Sequence, residues 1–493
     1  LDFLSNQILI QGVETIMRNF VINDDRLISP FNEPARDLMV IGPDNEPATL
    51  RIHQKELTSQ CIGPFPLEQD LSDIFELEAV LSSDTRSDVR PDDEVFVYRD
   101  NIYFDEPFLQ YFLKAARQLR QPCQAVLIAD DPAWRKYSFP LSSLQRVTPY
   151  DGNDYYPIEM WYFPRGWVEP NQWHAIAVPS DALEKGYYNI PDSMSNIKVN
   201  TVSKRAGRRG QSDEGMHREQ DLTHWLSERT CVVIESWVHL FNASIPLGVF
   251  SYGSRFEEQV KSHNIFAIRL FLRAILEQKQ ILSSSKMVKV GPGCDIHPEA
   301  IILGPTTIGR NCSIGPGVVI DNCIIGDNVN IAQGSQLMLS VVGHNSFLPF
   351  RAALFMTMIM ENTIIAQNTC LQMCVIGRNS FIGAGTTFTD FNLLPSPIKA
   401  IDHAGNIGDT GQPVLGGCVG HNCRIGAGLL IYPARMIESD VILTARPERR
   451  VIMKNITYEQ SDHHQMAPRT AALHQRFYVR GAVDENQLLE EWT

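Results

Sequence analysis

The chain has 493 residues, with 43 Lys and Arg against 57 Asp and Glu, for a net charge of −14. At 44% apolar and 20% charged it reads as an ordered, soluble protein of about two to four domains, not a disordered one. The negative balance excludes general nucleic-acid binding, and no uninterrupted run of about 18 apolar residues offers a transmembrane helix.

The beginning, Leu1-Asp2-Phe3-Leu4, lacks the basic region and apolar core of a signal peptide. Ten cysteines are far too few for a disulfide scaffold, and no two form a Cys-x-x-Cys pair. Reduced, buried thiols in a cytoplasmic protein are expected.

Residues 1–255 carry no repeat. Val95–Tyr98 reads as a buried strand ending in Arg99-Asp100-Asn101. Phe108–Leu119 reads as a helix, Gln124–Ala129 as a strand, and Cys231–Trp237 as a strand running into a helix. The alternation predicts an α/β domain. A polar insertion at 200–222 contains Lys204, Arg205, Arg208 and Arg209; it reads as a surface loop, with an anionic contact as the alternative. Residues 256–290 connect this domain to the second half of the chain. There Glu257–Lys279 predicts a helix with Ile268, Leu272, Ile275 and Leu276 on one face, placed to cap an open sheet edge.

From 291 to 445 the texture changes to Ile-Gly units with a period of 17. Ile308, Ile325, Val342, Ile359 and Ile376 form one column. Ile314, Ile331, Leu348, Ile365 and Ile382 form a second; Ile320, Leu337, Leu354, Leu371 and Phe388 form a third. Spacings of 6, 6 and 5 describe a three-sided coil with one large side chain per side pointing to the axis. Such coils stack, pairing their strands in parallel. The glycine after each inward residue is expected at a corner of unusual backbone conformation. This is the hexapeptide signature of a left-handed parallel β-helix. Residues 389–413 break the register and read as a long excursion loop. The register then resumes at Val419, Ile425, Ile431 and Ile437, with Ile442 next, and 446–493 reads as a C-terminal cap or tail. Phe355, Met356, Met358 and Met360 fall off the axis; this patch is expected to contact a partner, most simply another copy in a homotrimer, with cover by the chain's own loop or N-terminal domain as the alternative.

The stretch Arg378-Asn-Ser-Phe-Ile-Gly-Ala-Gly-Thr386, the excursion, and the return at Gly416-Gly-Cys-Val-Gly-His421 together resemble the sugar-1-phosphate nucleotidyltransferases fused to a left-handed β-helix. The bifunctional N-acetylglucosamine-1-phosphate uridylyltransferase/glucosamine-1-phosphate acetyltransferase is their best-known type. Near the N-terminus, Asp25-Arg-Leu-Ile-Ser-Pro-Phe-Asn-Glu-Pro-Ala-Arg36 resembles a worn form of that family's glycine-rich nucleotide motif, and Pro47–Leu57 the helix after it. The resemblance implies an α/β nucleotidyltransferase-like domain ahead of the β-helix. It also implies nucleotide contacts from Arg26 and Arg36, and Mg²⁺ on Asp100, which follows a strand as the family's metal-binding aspartate does.

The departures are as informative. Val21–Arg26 has no glycine, so backbone N–H groups cannot approach phosphates closely, and Asp24 and Asp25 would repel a triphosphate. Ala35 stands where the family has its phosphate-neutralising lysine. Gln367 falls at the place of the acetyltransferase histidine and cannot act as a base near neutral pH. Asp402 or His403 on the excursion is then the candidate base for acyl transfer from an acyl-CoA. His344 and His421 read as solvated corner histidines, and a zinc site joining them to His403 is the remaining alternative. The sequence thus predicts a nucleotidyltransferase/acyltransferase-like protein with degraded motifs, or a non-catalytic trimeric scaffold.

Overall fold

The computed structural model describes residues 17–22, 24–38, 94–148, 152–165, 174–186, 223–262, 264–276, 283–284, 287–392 and 396–480. The 200–222 insertion and Pro47–Leu57 lie outside them.

The C-terminal half is a left-handed parallel β-helix with three walls, each a sheet of eight parallel strands. The first wall runs from Val288–Val290 to Met436–Ile437, the second from Asp295–Ile296 to Ile442–Leu443, and the third from Ile301–Leu303 to Val451–Ile452. The first coil advances 18 residues, pairing Ile296 with Ile314; the next advances 17, pairing Ile314 with Ile331. None of the fifteen column residues is more than 2% exposed. After the excursion the columns continue through Val419 and Ile437, Ile425 and Leu443, and Ile431 and Ile452. The inward residue after Ile437 is therefore Leu443, not Ile442.

Two further ladders run through the prism. Small side chains sit where the coil turns inward, and each accepts the next coil's N–H. Cys323 N–H donates to Thr306 Oγ1, Thr357 N–H to Ser340 Oγ, and Cys374 N–H to Thr357 Oγ1. These small, weakly polar sites also hold Cys294, Cys312 and Cys423, which explains thiols without disulfides; the nine cysteines described are all free. At one corner Asn311, Asn328, Asn345, Asn362, Asn379 and Asn422 all take positive φ, where asparagine is tolerated. Their amides link coil to coil, Asn328 Nδ2 donating to Asn345 Oδ1 at 3.1 Å. The glycine after the inward isoleucine is not the corner residue. Gly326 is needed because a Cβ there would lie 2.8 Å from His344 N in the next coil.

The N-terminal half is an α/β domain around a mixed sheet. Its strands are β1 (Met17–Ile22), β2 (Glu94–Arg99), β3 (Cys123–Ile128), β4 (Tyr155–Phe163) and β5 (His174–Val178), in the order β1-β2-β4-β3-β5. Helix α1 (Glu106–Leu119) is capped by Asp105, whose carboxylate accepts the Phe108 N–H at 3.0 Å. It buries Phe108, Phe112 and Ala116 against the sheet. Helix α2 (Trp237–Ser244) follows the short strand Cys231–Val233.

The core of this domain does not stop at its own sheet. It merges with the outward face of the first β-helix wall, through Val341, Met358, Val375, Cys418 and Met436, and with corner residues Leu339, Met356 and Met373. Met356, Met358 and Met360 are at most 1% exposed, and Phe355 packs against the same core. The patch expected to meet a partner is covered by the protein's own N-terminal domain. The excursion is also anchored. It forms a hairpin, Lys399–Ile401 with Ile407–Asp409, that buries Ile398, Ala400 and Ile401 in this shared core, and Gln412 Nε2 donates to Asn242 Oδ1 at 2.6 Å.

The connecting segment forms two helices, α3 (Ser251–Ser262) and α4 (Asn264–Leu276). The expected inward face of α4 is turned outward: Leu270 and Ala274 are buried, whereas Ile268, Leu272, Ile275 and Leu276 are exposed. At the other end, Val451–Ile452 joins the third wall, and buried Asp462 accepts the Thr444 N–H at 2.6 Å over the last coil. No helix among the described residues is long and apolar enough to cross a membrane.

Candidate functional site

Strands β1 and β2 are adjacent and parallel, with Ile22 opposite Arg99. Asp24 and Asp100 therefore lie together beyond their carboxyl ends, where open α/β sheets bind ligands. Asp100 Oδ1 accepts the Asp24 N–H at 2.7 Å, and Arg36 Nη1 donates to Asp100 Oδ2 at 3.2 Å and to the Asp24 carbonyl at 3.0 Å. Arg36 also pairs with Asp25. Arg26 Nε donates to both Asp24 oxygens, at 2.9 and 2.8 Å, and its Nη1 reaches Glu235 Oε1 at 2.8 Å. Glu235 in turn accepts the Ser143 N–H and hydroxyl, each at 2.6 Å.

The sequence-derived residues Arg26, Arg36 and Asp100 are thus brought together, along with Asp24 and Glu235. Both guanidinium groups are engaged by carboxylates. Asp24, Asp100 and Glu235 are 2%, 3% and 6% exposed, so a phosphate chain would meet buried negative charge. Burial pushes Asp100 up to about 6, against the opposing pull of the Asp24 N–H and Arg36. For Asp24, burial acts upward, but the Arg26 hydrogen bond and charge outweigh it and hold the carboxyl below its ordinary value. Asp100 does not fit an Mg²⁺ ligand, because its oxygens face an N–H and a guanidinium rather than an open position. Among the described residues no three His, Cys, Asp or Glu side chains are grouped to hold a metal ion.

The remainder of the segment 25–38 leaves this site and enters the β-helix. The Pro30 carbonyl accepts the Ser439 N–H at 3.1 Å and its hydroxyl at 3.0 Å. Asn32 Nδ2 donates to Glu438 Oε1 at 2.9 Å. Arg378 Nη1 donates to Glu33 Oε2 at 2.5 Å, and Arg378 also reaches the Asp37 carbonyl. His421 Nε2 lies 3.3 Å from the same Glu33 oxygen, between the rings of Phe31 and Tyr478 at 4.9 and 4.7 Å. Burial lowers the His421 pKa and would raise that of Glu33, but His421 and Arg378 leave Glu33 below its ordinary value. His421 is therefore a fully buried latch residue rather than a solvated corner histidine. His344, its counterpart in another coil, keeps the corner role alone, with Nδ1 accepting the Asp327 N–H at 2.7 Å.

The candidate acyl-transfer residues are not assembled within one chain. Gln367 is half-buried beside Asn368, at the corner between the second and third walls. The excursion leaves after Phe388 and returns at Cys418, at the corner between the third and first walls. Asp402 shapes the hairpin turn, its Oδ1 accepting the Ala404 and Asn406 N–H groups at 2.9 Å each. His403 is exposed next to it. His239, missed in the sequence, is buried opposite the hairpin; its Nδ1 accepts the Glu235 N–H at 3.2 Å, and Nε2 lies 2.7 Å from the Pro140 carbonyl. No local pattern marks Glu33, Arg378 or Glu235, whose partners lie far away in sequence.

Comparison with known proteins places these observations. Residues 284–354 match the model of the GMPPB C-terminal domain. The "Bifunctional protein GlmU" of Geotalea uraniireducens is 47% identical over 55 residues, 11% of this chain and 12% of that protein. That of Pelobacter propionicus is 50% identical over 50 residues, 10% of this chain and 11% of the relative. Over these short stretches the chain is similar to GlmU. The resemblance to a nucleotidyltransferase fused to a β-helix is therefore supported through its C-terminal part, and the chain spans about an eighth of the length of these curated relatives. Among solved structures, a putative acetyltransferase from Bacillus cereus aligns at 20% identity over 29% of this chain and 77% of its own, with a TM-score of 0.13. The acetyltransferase domain of PglB from Neisseria gonorrhoeae aligns at 20% identity over 36% of this chain and 62% of its own, with a TM-score of 0.11.

Proposed function

We propose that this GlmU-like protein has exchanged nucleotidyl transfer for a structural use of the same loop, and that it works as a trimeric β-helix scaffold. The observation that carries the reading is the closed ion-pair network at the ends of β1 and β2. Arg26 and Arg36, the cations available to phosphate, are held by Asp24, Asp25, Asp100 and Glu235. The loop that would cradle a nucleotide instead fastens the N-terminal domain to the β-helix through Pro30, Asn32 and Glu33. Self-association is supported by the second wall, where Phe347, Ile364 and Phe381 stack in register and remain 40%, 38% and 36% exposed.

A second reading is acyl transfer from an acyl-CoA lying along the prism between copies. It is favoured by the exposure of His403 at the tip of the docked hairpin. Titration calorimetry with Mg-nucleoside triphosphates, nucleotide sugars and acyl-CoA separates these readings. The scaffold reading expects no saturable nucleotide binding, no pyrophosphate release and a solution mass of three chains. Pyrophosphate release that depends on a sugar phosphate would end it. Turnover of acyl-CoA that disappears in His403→Ala would replace it with the second.

A further inference from the structure

An amphipathic helix in a globular protein normally turns its apolar stripe inward. Helix α4 does the reverse. Of the nine residues 268–276, seven are exposed, and only Leu270 and Ala274 are buried. Ile268, Phe271, Leu272 and Ile275 are 57%, 53%, 53% and 56% exposed, and Leu276 is 83% exposed. At about 100° per residue these five side chains occupy one arc of about 140°, opposite the two anchors. Arg269 and Arg273, one turn apart and both exposed, flank that arc on one side. Asn264–Leu276 contains no acidic residue, in a chain whose net charge is −14.

We propose that α4 is a peripheral membrane-binding element that lays its Ile268/Phe271/Leu272/Ile275/Leu276 face into an anionic lipid surface. Three features select lipid over a protein partner. The stripe carries no hydrogen-bonding group that would fix the geometry of a specific partner. Its side chains are large, whereas the one small residue in 268–276, Ala274, which would let another helix approach closely, faces the body of the protein. The basic flank lies beside the apolar arc, where long arginine side chains extend from buried methylene stems to headgroup phosphates. The local charge is thus opposite to that of the molecule as a whole, and complementary to an anionic leaflet.

Cosedimentation of the full chain with phosphatidylcholine vesicles, with and without phosphatidylserine, tests this at low and high salt. The wild-type chain is expected to bind the phosphatidylserine vesicles and to release them as salt rises. Phe271→Asp/Ile275→Asp is expected to reduce binding by about tenfold or more. Arg269→Gln/Arg273→Gln is expected to remove about 30-fold of the preference for anionic lipid. Leu276→Asp, at the most exposed position, provides a second apolar variant, and unchanged thermal melts establish that the variants fold. Absence of binding to either vesicle at low salt would overturn the proposal. So would equal binding by Phe271→Asp/Ile275→Asp. A concentration-dependent association abolished by that variant, with no vesicle binding, would assign the face to a second copy and equally overturn it.

Discussion

The β-helix and the N-terminal loop are held together in opposite ways. In the β-helix each environment recurs coil after coil, so a single requirement acts on a whole column of residues. In the loop each contact is made once, between residues such as Arg26 and Glu235 that lie 209 positions apart. Repetition writes itself into sequence, whereas a unique long-range ion pair leaves no local trace. The same contrast separates robustness from specificity. The prism spreads its stabilisation over many equivalent apolar contacts, but the latch depends on a few charges in a desolvated interface.

The sharpest test of that contrast lies one residue apart. Ile365 is on the axis and fully buried, while Ile364 beside it faces outward. Ile365→Asp places a carboxylate in the apolar stack, at a cost on the order of 5 kcal/mol or more, and is expected to abolish the cooperative melt followed by circular dichroism. At a protein concentration low enough to keep the chain monomeric, Ile364→Asp is expected to change stability by about 0.5 kcal/mol or less in the same measurement, its larger effect falling on the solution mass through the second wall. Equal effects would break the column assignment.

The interface between the two regions comes next. Met358 is 1% exposed under the N-terminal domain, so Met358→Asp is expected to cost about 3 kcal/mol and to open that domain to limited proteolysis. Were this residue instead a contact between copies, the variant would lower the solution mass and leave the proteolytic pattern unchanged.

A smaller difference distinguishes two kinds of glycine. Gly326→Ala drives a Cβ to 2.8 Å from His344 N and is expected to cost about 2 kcal/mol. Gly317→Ala meets nothing within 4 Å, but its φ of +65° makes a cost of about 1 kcal/mol the expectation. Chemical denaturation of both variants checks the order.

The smallest effect concerns the C-terminal cap. Burial, with His464 and His474 nearby, pushes His463 down to about 4. A histidine whose folded pKa lies below its unfolded value binds fewer protons when folded, so its contribution is lost as pH falls from about 6.5 toward 4. His463→Asn is expected to shrink the fall in melting temperature across that window. Asp100, pushed up to about 6, acts with the opposite sign, because its raised folded pKa makes it destabilising as pH rises through that value. It therefore partly masks the histidine in the wild-type chain.

The legibility of the sequence follows the same division. The inward columns were readable because Ile314, Ile331, Leu348, Ile365 and Ile382 repeat one physical demand. The strand and helix around Asp100 were readable from local patterns, and so were Arg26, Arg36 and Asp100 as a group. Periodicity reports that a residue is apolar but not which surface packs over it. It therefore could not show that Met356 and Met358 face the protein's own N-terminal half, nor that α4 turns Leu270 inward and Leu272 outward. The partners of Arg378 and His421 were hidden because Glu33 lies in a segment that resembles a nucleotide loop. Even one corner's rule was written in the sequence, in the asparagines two residues after Gly309, Gly326, Gly343, Gly377 and Gly420. The Gly-x-Asn spacing was visible there, but glycine is the more familiar candidate for a left-handed corner.

If the segment Pro30–Asp37 is a latch between the two halves, the Glu33–Arg378 pair must couple them energetically. A double-mutant cycle on Glu33→Gln and Arg378→Met, read by denaturant unfolding of the full chain, measures that coupling. A value of about 1–3 kcal/mol is expected for this largely desolvated pair, together with increased proteolysis of the N-terminal domain in each single variant. Additive effects, with both single variants as protease-resistant as the wild-type chain, would contradict the latch.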